Sequence, residues 1–143
     1  MLLVLLTGCS AANILDKTEK YEGEELRIGI VGNIPEIRES QVKFEEIDFG
    51  FLNDDSLDSK YDAIFITKEN LSEASDAEYV SIYKKSEIPF YFIDNEKSHV
   101  NFIKEDLAYE DEPAWEDGAY ITGLLYTKNI TIVGKTWDFH VLR

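Results

Sequence analysis

The sequence predicts an α/β fold: a small three-layer domain with a mainly parallel sheet and a C-terminal antiparallel hairpin. Three observations lead to it. Apolar, β-branched runs at residues 26–32, 42–48, 61–67 and 88–94 read as strands. A helical pattern from Leu71 to Lys85 separates the last two, which makes a βαβ unit with parallel strands. Beyond it, Tyr120 to Thr127 and Asn129 to Gly134 resemble two short strands around Lys128-Asn129. They are too close for a parallel crossover, which takes roughly a dozen residues, so a hairpin is expected.

The elements follow in order. Leu26 to Gly32 is nearly all apolar and bounded by Gly, as suits a central strand covered on both faces. Asn33 offers a helix cap, with Pro35 near the first turn and Ile34 and Ile37 as apolar contacts. That helix can last only a turn or two, because Val42 to Phe49 alternates as a strand. The segment from Gly50 to Lys60 reads as an acidic loop with room for one helical turn. Tyr61 to Thr67 is the clearest strand. Asn70-x-x-Glu73 and Ser75-x-x-Glu78 each match a capping box. Leu71, Ala74, Ala77, Val80 and Tyr83 lie along one helical face, and Lys84 and Lys85 fall in the last turn, where cations suit the dipole. Pro89 is tolerated at the start of the fourth strand, Ile88 to Asp94. Asn95 to Asp117 mixes apolar side chains with dense acid. The apolar, uncapped end from Trp137 to Arg143 leaves a sheet face uncovered. The expectation is a chain truncated there, or a partner over that face.

Composition bounds the function. The net charge of −15, from 29 acidic and 14 basic residues, makes nucleic acid a poor partner by repulsion. An aromatic fraction of 13% argues for a packed core rather than disorder. The single cysteine permits no disulfide within the monomer.

Catalytic and metal motifs are weak. His99 and His140 share no metal-binding spacing, no nucleophile elbow occurs, and the abundant carboxylates favour no particular pair. The Gly29 to Asn33 turn lacks the third glycine of a dinucleotide fingerprint and reads as a tight strand end. Asp54-Asp55-Ser56-Leu57-Asp58 misses the calcium-loop spacing and reads as a solvated acidic loop. Trp115, Tyr120 and Trp137 are assigned to completing the core. No metal, cofactor or enzymatic role is therefore expected.

The N-terminus is more specific. Leu2 to Leu6 is apolar, too short to span a membrane at about 20 residues, and runs into Thr7, Gly8 and Cys9. The tetrad Leu6-Thr7-Gly8-Cys9 resembles the lipobox of bacterial lipoproteins, and the chain is similar to small lipoproteins of low-GC Gram-positive bacteria. The resemblance implies cleavage before Cys9, a diacylglycerol on its thiol, and a lipid anchor at the extracytoplasmic face of the cell membrane. The domains expected are a signal segment at 1–8, a lipidated cysteine and flexible tether at 9–25, and one α/β domain at 26–143.

The layering around Tyr61 to Asp94 also resembles a half-domain of extracytoplasmic solute-binding proteins, though the chain has room for a single lobe. Ligands of open α/β sheets lie beyond the carboxyl ends of the strands. There the chain offers Asn33, Lys68, Asp94 and Asn95, a mixture suited to a small polar or zwitterionic molecule. The expected role is a non-enzymatic binding or interaction domain with a small polar ligand or a protein partner. The alternatives are a ligand-binding lobe serving a transporter or sensor, and, third, an envelope hydrolase.

Overall fold

The strands β1 (Leu26–Val31), β2 (Val42–Glu46), β3 (Ala63–Ile66) and β4 (Phe90–Ile93) run parallel in one sheet. Two further strands, β5 (Ile121–Leu125) and β6 (Lys135–Phe139), extend it antiparallel, giving the order β2-β1-β3-β4-β5-β6. The computed structural model describes residues 19–115 and 121–126, together with the backbone of 135–139. The tetrad at 6–9 and the start of the expected tether lie outside these residues. Within the stretch expected to be a flexible tether, the Glu19 carbonyl accepts from Arg38 Nη2 at 3.1 Å.

The α/β class, the mainly parallel sheet and the C-terminal antiparallel pair are those the sequence predicts. The last strand differs: β5 pairs with Lys135–Phe139, placing Gly123 opposite Trp137, whereas the expected Asn129 to Gly134 lies outside the described residues. The pattern Thr136-Trp137-Asp138-Phe139 has the period of two that a strand requires.

Register divides the sheet into two faces. Val31, Ile64, Ile66, Phe90, Phe92, Thr122 and Leu124 share one of them. Onto that face pack Leu57 of α1 (Leu57–Lys60), Leu71 and Ala74 of α2 (Leu71–Ala74), and Val80 and Tyr83 of α3 (Ala77–Lys85). Phe102, from a short 3-10 turn, stacks on Phe92 with ring centroids 3.7 Å apart. Gly29, the register partner of Ile64, shares this face, and little room is left for a side chain there: a Cβ would lie 2.8 Å from Ile64 Cδ1 and 2.9 Å from Ile47 Cδ1. On the opposite face Phe44, Phe65 and Tyr91 form an edge-to-face row, with centroids 5.7 and 5.4 Å apart. Among the described residues, the apolar side chains that helices bury all join the core of the first face. The second helical layer of a three-layer outline is not among them.

Two local expectations are corrected. Residues 33–41 form no helix, and Ile34 and Ile37 are exposed. Without an apolar face to bury, a turn or two cannot offset the cost of nucleation. The expected helix from Leu71 to Lys85 is broken at Ser75 and Asp76, and neither predicted capping box forms. The Ser75 hydroxyl instead donates to the Ser72 carbonyl at 2.8 Å and accepts from the Tyr109 amide at 3.0 Å. Asn70 likewise turns away, its Nδ2 donating to the Val31 carbonyl and to Thr67 Oγ1. Long-range bonds have replaced caps.

Tyr83 lies at the centre of the core, its hydroxyl donating to the Ala74 carbonyl at 2.7 Å. Burial, above all, pushes its phenol well above the usual 10.0. The folded state therefore keeps this proton at a pH where the unfolded chain has released it. Its contribution is complete below about pH 10 and is lost as pH rises further. Tyr83→Phe is expected to make alkaline unfolding less steep, while costing about 1 kcal/mol at neutral pH for the lost hydrogen bond. Tyr91, Tyr109 and Tyr126 are also pushed up by burial, so some slope remains. Urea unfolding at about pH 8 and about pH 11 measures it, and an unchanged slope in the variant contradicts it.

Candidate functional site

Because β1, β3 and β4 are parallel neighbours, their carboxyl ends lie side by side, as the sequence pattern requires. Backbone bonding fixes this edge. The Val31 carbonyl accepts from the Thr67 amide at 3.0 Å, and from Thr67 Oγ1 and Asn70 Nδ2 at 3.3 Å each. Gly32 makes the turn out of β1 with φ of 127°, and a Cβ at this position would lie 2.0 Å from Thr67 Oγ1. Only glycine suits both the dihedral and the space.

The four residues predicted for a ligand meet different fates. Lys68 and Asp94 come together: Lys68 Nζ lies 3.4 Å from Asp94 Oδ2 and 2.6 Å from Glu96 Oε1. The hydrogen bond to Glu96, outweighing desolvation and aided by the Asp94 charge, raises the Lys68 pKa. Asp94 adopts the left-handed region with φ of 53°, which Asp tolerates better than most residues. Asn33 is exposed in the loop after β1, outside this ionic cluster.

Asn95 is wholly buried and points inward. Its Nδ2 donates to Thr122 Oγ1 at 3.1 Å, while its Oδ1 accepts from the Lys97 amide and the Tyr109 hydroxyl, each at 3.1 Å. Lys97 Nζ in turn donates to the Tyr109 carbonyl at 2.7 Å and lies 4.6 Å from the centre of its ring. This network ties the segment after β4 to β5. It occupies three of the hydrogen bonds Asn95 can make. Trp115, assigned from sequence to the core, is instead 43% exposed, with its amide donating to the Glu96 carbonyl at 2.8 Å. Tyr120 and the side chain of Trp137 lie outside the described residues, as do Cys9 and His140.

A second feature is not foreseen from sequence. The segment from Gly50 to Lys60, expected to be an acidic loop with room for one helical turn, carries most of a 3-10 turn (Phe49–Asn53) and α1, and residues 49–58 become one wall of a cleft. The other wall is α3, and the cleft volume is about 550 Å³. Phe49 and Tyr79 meet across it with ring centroids 4.6 Å apart. The Asp48 side chain starts the 3-10 turn by accepting from the Phe51 amide at 2.9 Å. Asp58 joins the two walls, its Oδ1 accepting from Ser86 Oγ and its Oδ2 from the Glu87 amide, both at 2.6 Å. The signal in the sequence is the spacing of Phe49, Leu52 and Leu57, apolar residues set among acids.

Among the described residues, no three His, Cys, Asp or Glu side chains are grouped so as to hold a metal ion. No described helix is long and apolar enough to cross a membrane. Comparison of the chain with protein-family models, curated proteins and solved structures finds no match.

Proposed function

We propose that this chain is a lipid-anchored, extracytoplasmic domain with a non-enzymatic binding or interaction role at the cell membrane. The observation that carries the reading is the tetrad Leu6-Thr7-Gly8-Cys9, preceded by an apolar run and followed by a polar stretch. A diacylated Cys9 places two chains in the bilayer, and two membrane signals are what stable anchoring takes. At the strand ends, Lys68 is held by two carboxylates, and Asn95 is committed to its own domain.

The experiment is fractionation of cells labelled with radioactive fatty acid, comparing the natural chain with Cys9→Ala. The natural chain should carry label and sediment with membranes. The variant should carry none and move entirely to the soluble fraction while remaining folded. Equal membrane recovery of the two chains would overturn the anchor.

A further inference from the structure

We propose that the cleft between residues 49–58 and α3 receives an arginine side chain from a basic segment of a partner protein. This rests on the interaction-domain reading and names the class of partner. Acidic residues alone would describe much of this surface. What distinguishes the cleft is a recess of about 550 Å³ with an aromatic floor and uncommitted carboxylates above it.

The floor comes from Phe49, Leu52, Tyr79 and Ile82. Phe49 and Leu52 are buried, while Tyr79 and Ile82 are half-buried and pack against the core. An arginine can lay its methylene stem along such a surface while its planar guanidinium stacks on a ring. The carboxylates around the floor differ in availability. Asp54 is occupied by Ser56, whose hydroxyl and amide hold its pKa down, and Asp58 bridges the two walls. Asp55 and Glu78 make no side-chain hydrogen bond or ion pair among the described residues. They are exposed and line the same recess.

The field at the floor has the sign a cation needs. Burial first, then the charges of Glu78, Glu73 and Asp76, push the Tyr79 phenol upward. Lys85 lines the cleft too, but it follows Glu78 by two helical turns, about 10 Å along the axis. The guanidinium therefore belongs toward the Glu78 end of α3. At longer range, a chain of net charge −15 speeds encounter with a basic partner.

The test is fluorescence anisotropy on the full chain with a labelled, capped peptide of alternating glycine and arginine. Saturable binding is expected, with a lysine analogue about threefold weaker or worse, because an ammonium cannot stack or bind in a fork. Asp55→Asn combined with Glu78→Gln should weaken the arginine peptide about tenfold by removing charge-assisted bonds. Glu24→Gln combined with Glu36→Gln removes the same net charge elsewhere and should change affinity less than about twofold. Absence of saturable binding overturns the proposal, as does equal weakening by both double variants. A free alkylguanidine binding as tightly as the peptide would overturn the assignment to a protein segment. None of these results bears on the lipid anchor, which fatty-acid labelling of Cys9 tests separately.

Discussion

Phe92→Ala is expected to lower the free energy of unfolding by about 3–5 kcal/mol, a large part of a typical domain's stability. Tyr91→Ala, one residue away, should cost roughly 1–2 kcal/mol. Adjacent strand residues point to opposite faces of the sheet. Phe92 has no exposure and lies between Phe102, stacked 3.7 Å away, and Tyr83, 5.4 Å away at a steep angle. Truncation there opens a cavity among helices that cannot all collapse into it. Tyr91 is half-buried in the aromatic row of the other face. Its removal exposes neighbours more than it opens a void. Urea unfolding of the two variants measures the difference, and equal losses would show that both faces are packed alike.

That contrast explains why the strands were legible and other features were not. Ala63–Ile66 and Phe90–Ile93 are short apolar runs between polar residues, and the signal lies within each run. The antiparallel pairing was expected from a short link at Lys128-Asn129, whereas the strand that pairs with β5 begins at Lys135. The break at Ser75 carried no comparable local signal. Its side chain could cap a helix or bond elsewhere, and the partner that decides is the Tyr109 amide, 34 positions away. The cleft was hidden for a similar reason. Asp54, Asp55 and Asp58 read as a solvated loop because their acidity is local, whereas the wall they face, α3, arrives from beyond β3. Carboxyl-end geometry was legible as topology: parallel neighbours put Lys68 and Asp94 together. Whether Asn95 pointed out of that edge or into the protein was not legible, since both of its side-chain partners, Tyr109 and Thr122, lie later in the chain.

The orientation of Asn95 has a measurable consequence. Asn95→Ala is expected to destabilise the domain by about 3 kcal/mol in the absence of any ligand. The loss comes from groups left behind: the Tyr109 hydroxyl, the Thr122 hydroxyl and the Lys97 amide would each lose a bond of 3.1 Å. Thr122 is fully buried and the other two bonds are partly buried, so desolvation is not fully recovered. Asn95→Asp should cost less, because a carboxylate still accepts from Tyr109 and Lys97 and can accept from the Thr122 hydroxyl in place of donating to it, although burying its charge carries a penalty. Pairing Asn95→Ala with Tyr109→Phe should give a loss smaller than the sum of the two, by about 1 kcal/mol, because both variants remove the same contact. A residue held ready for a ligand behaves differently: its truncation leaves the empty protein as stable as before and shows only when ligand is added. An Asn95→Ala chain within about 0.5 kcal/mol of the natural one would therefore restore Asn95 to the ligand-facing edge and sink its role as the polar link between β4 and β5.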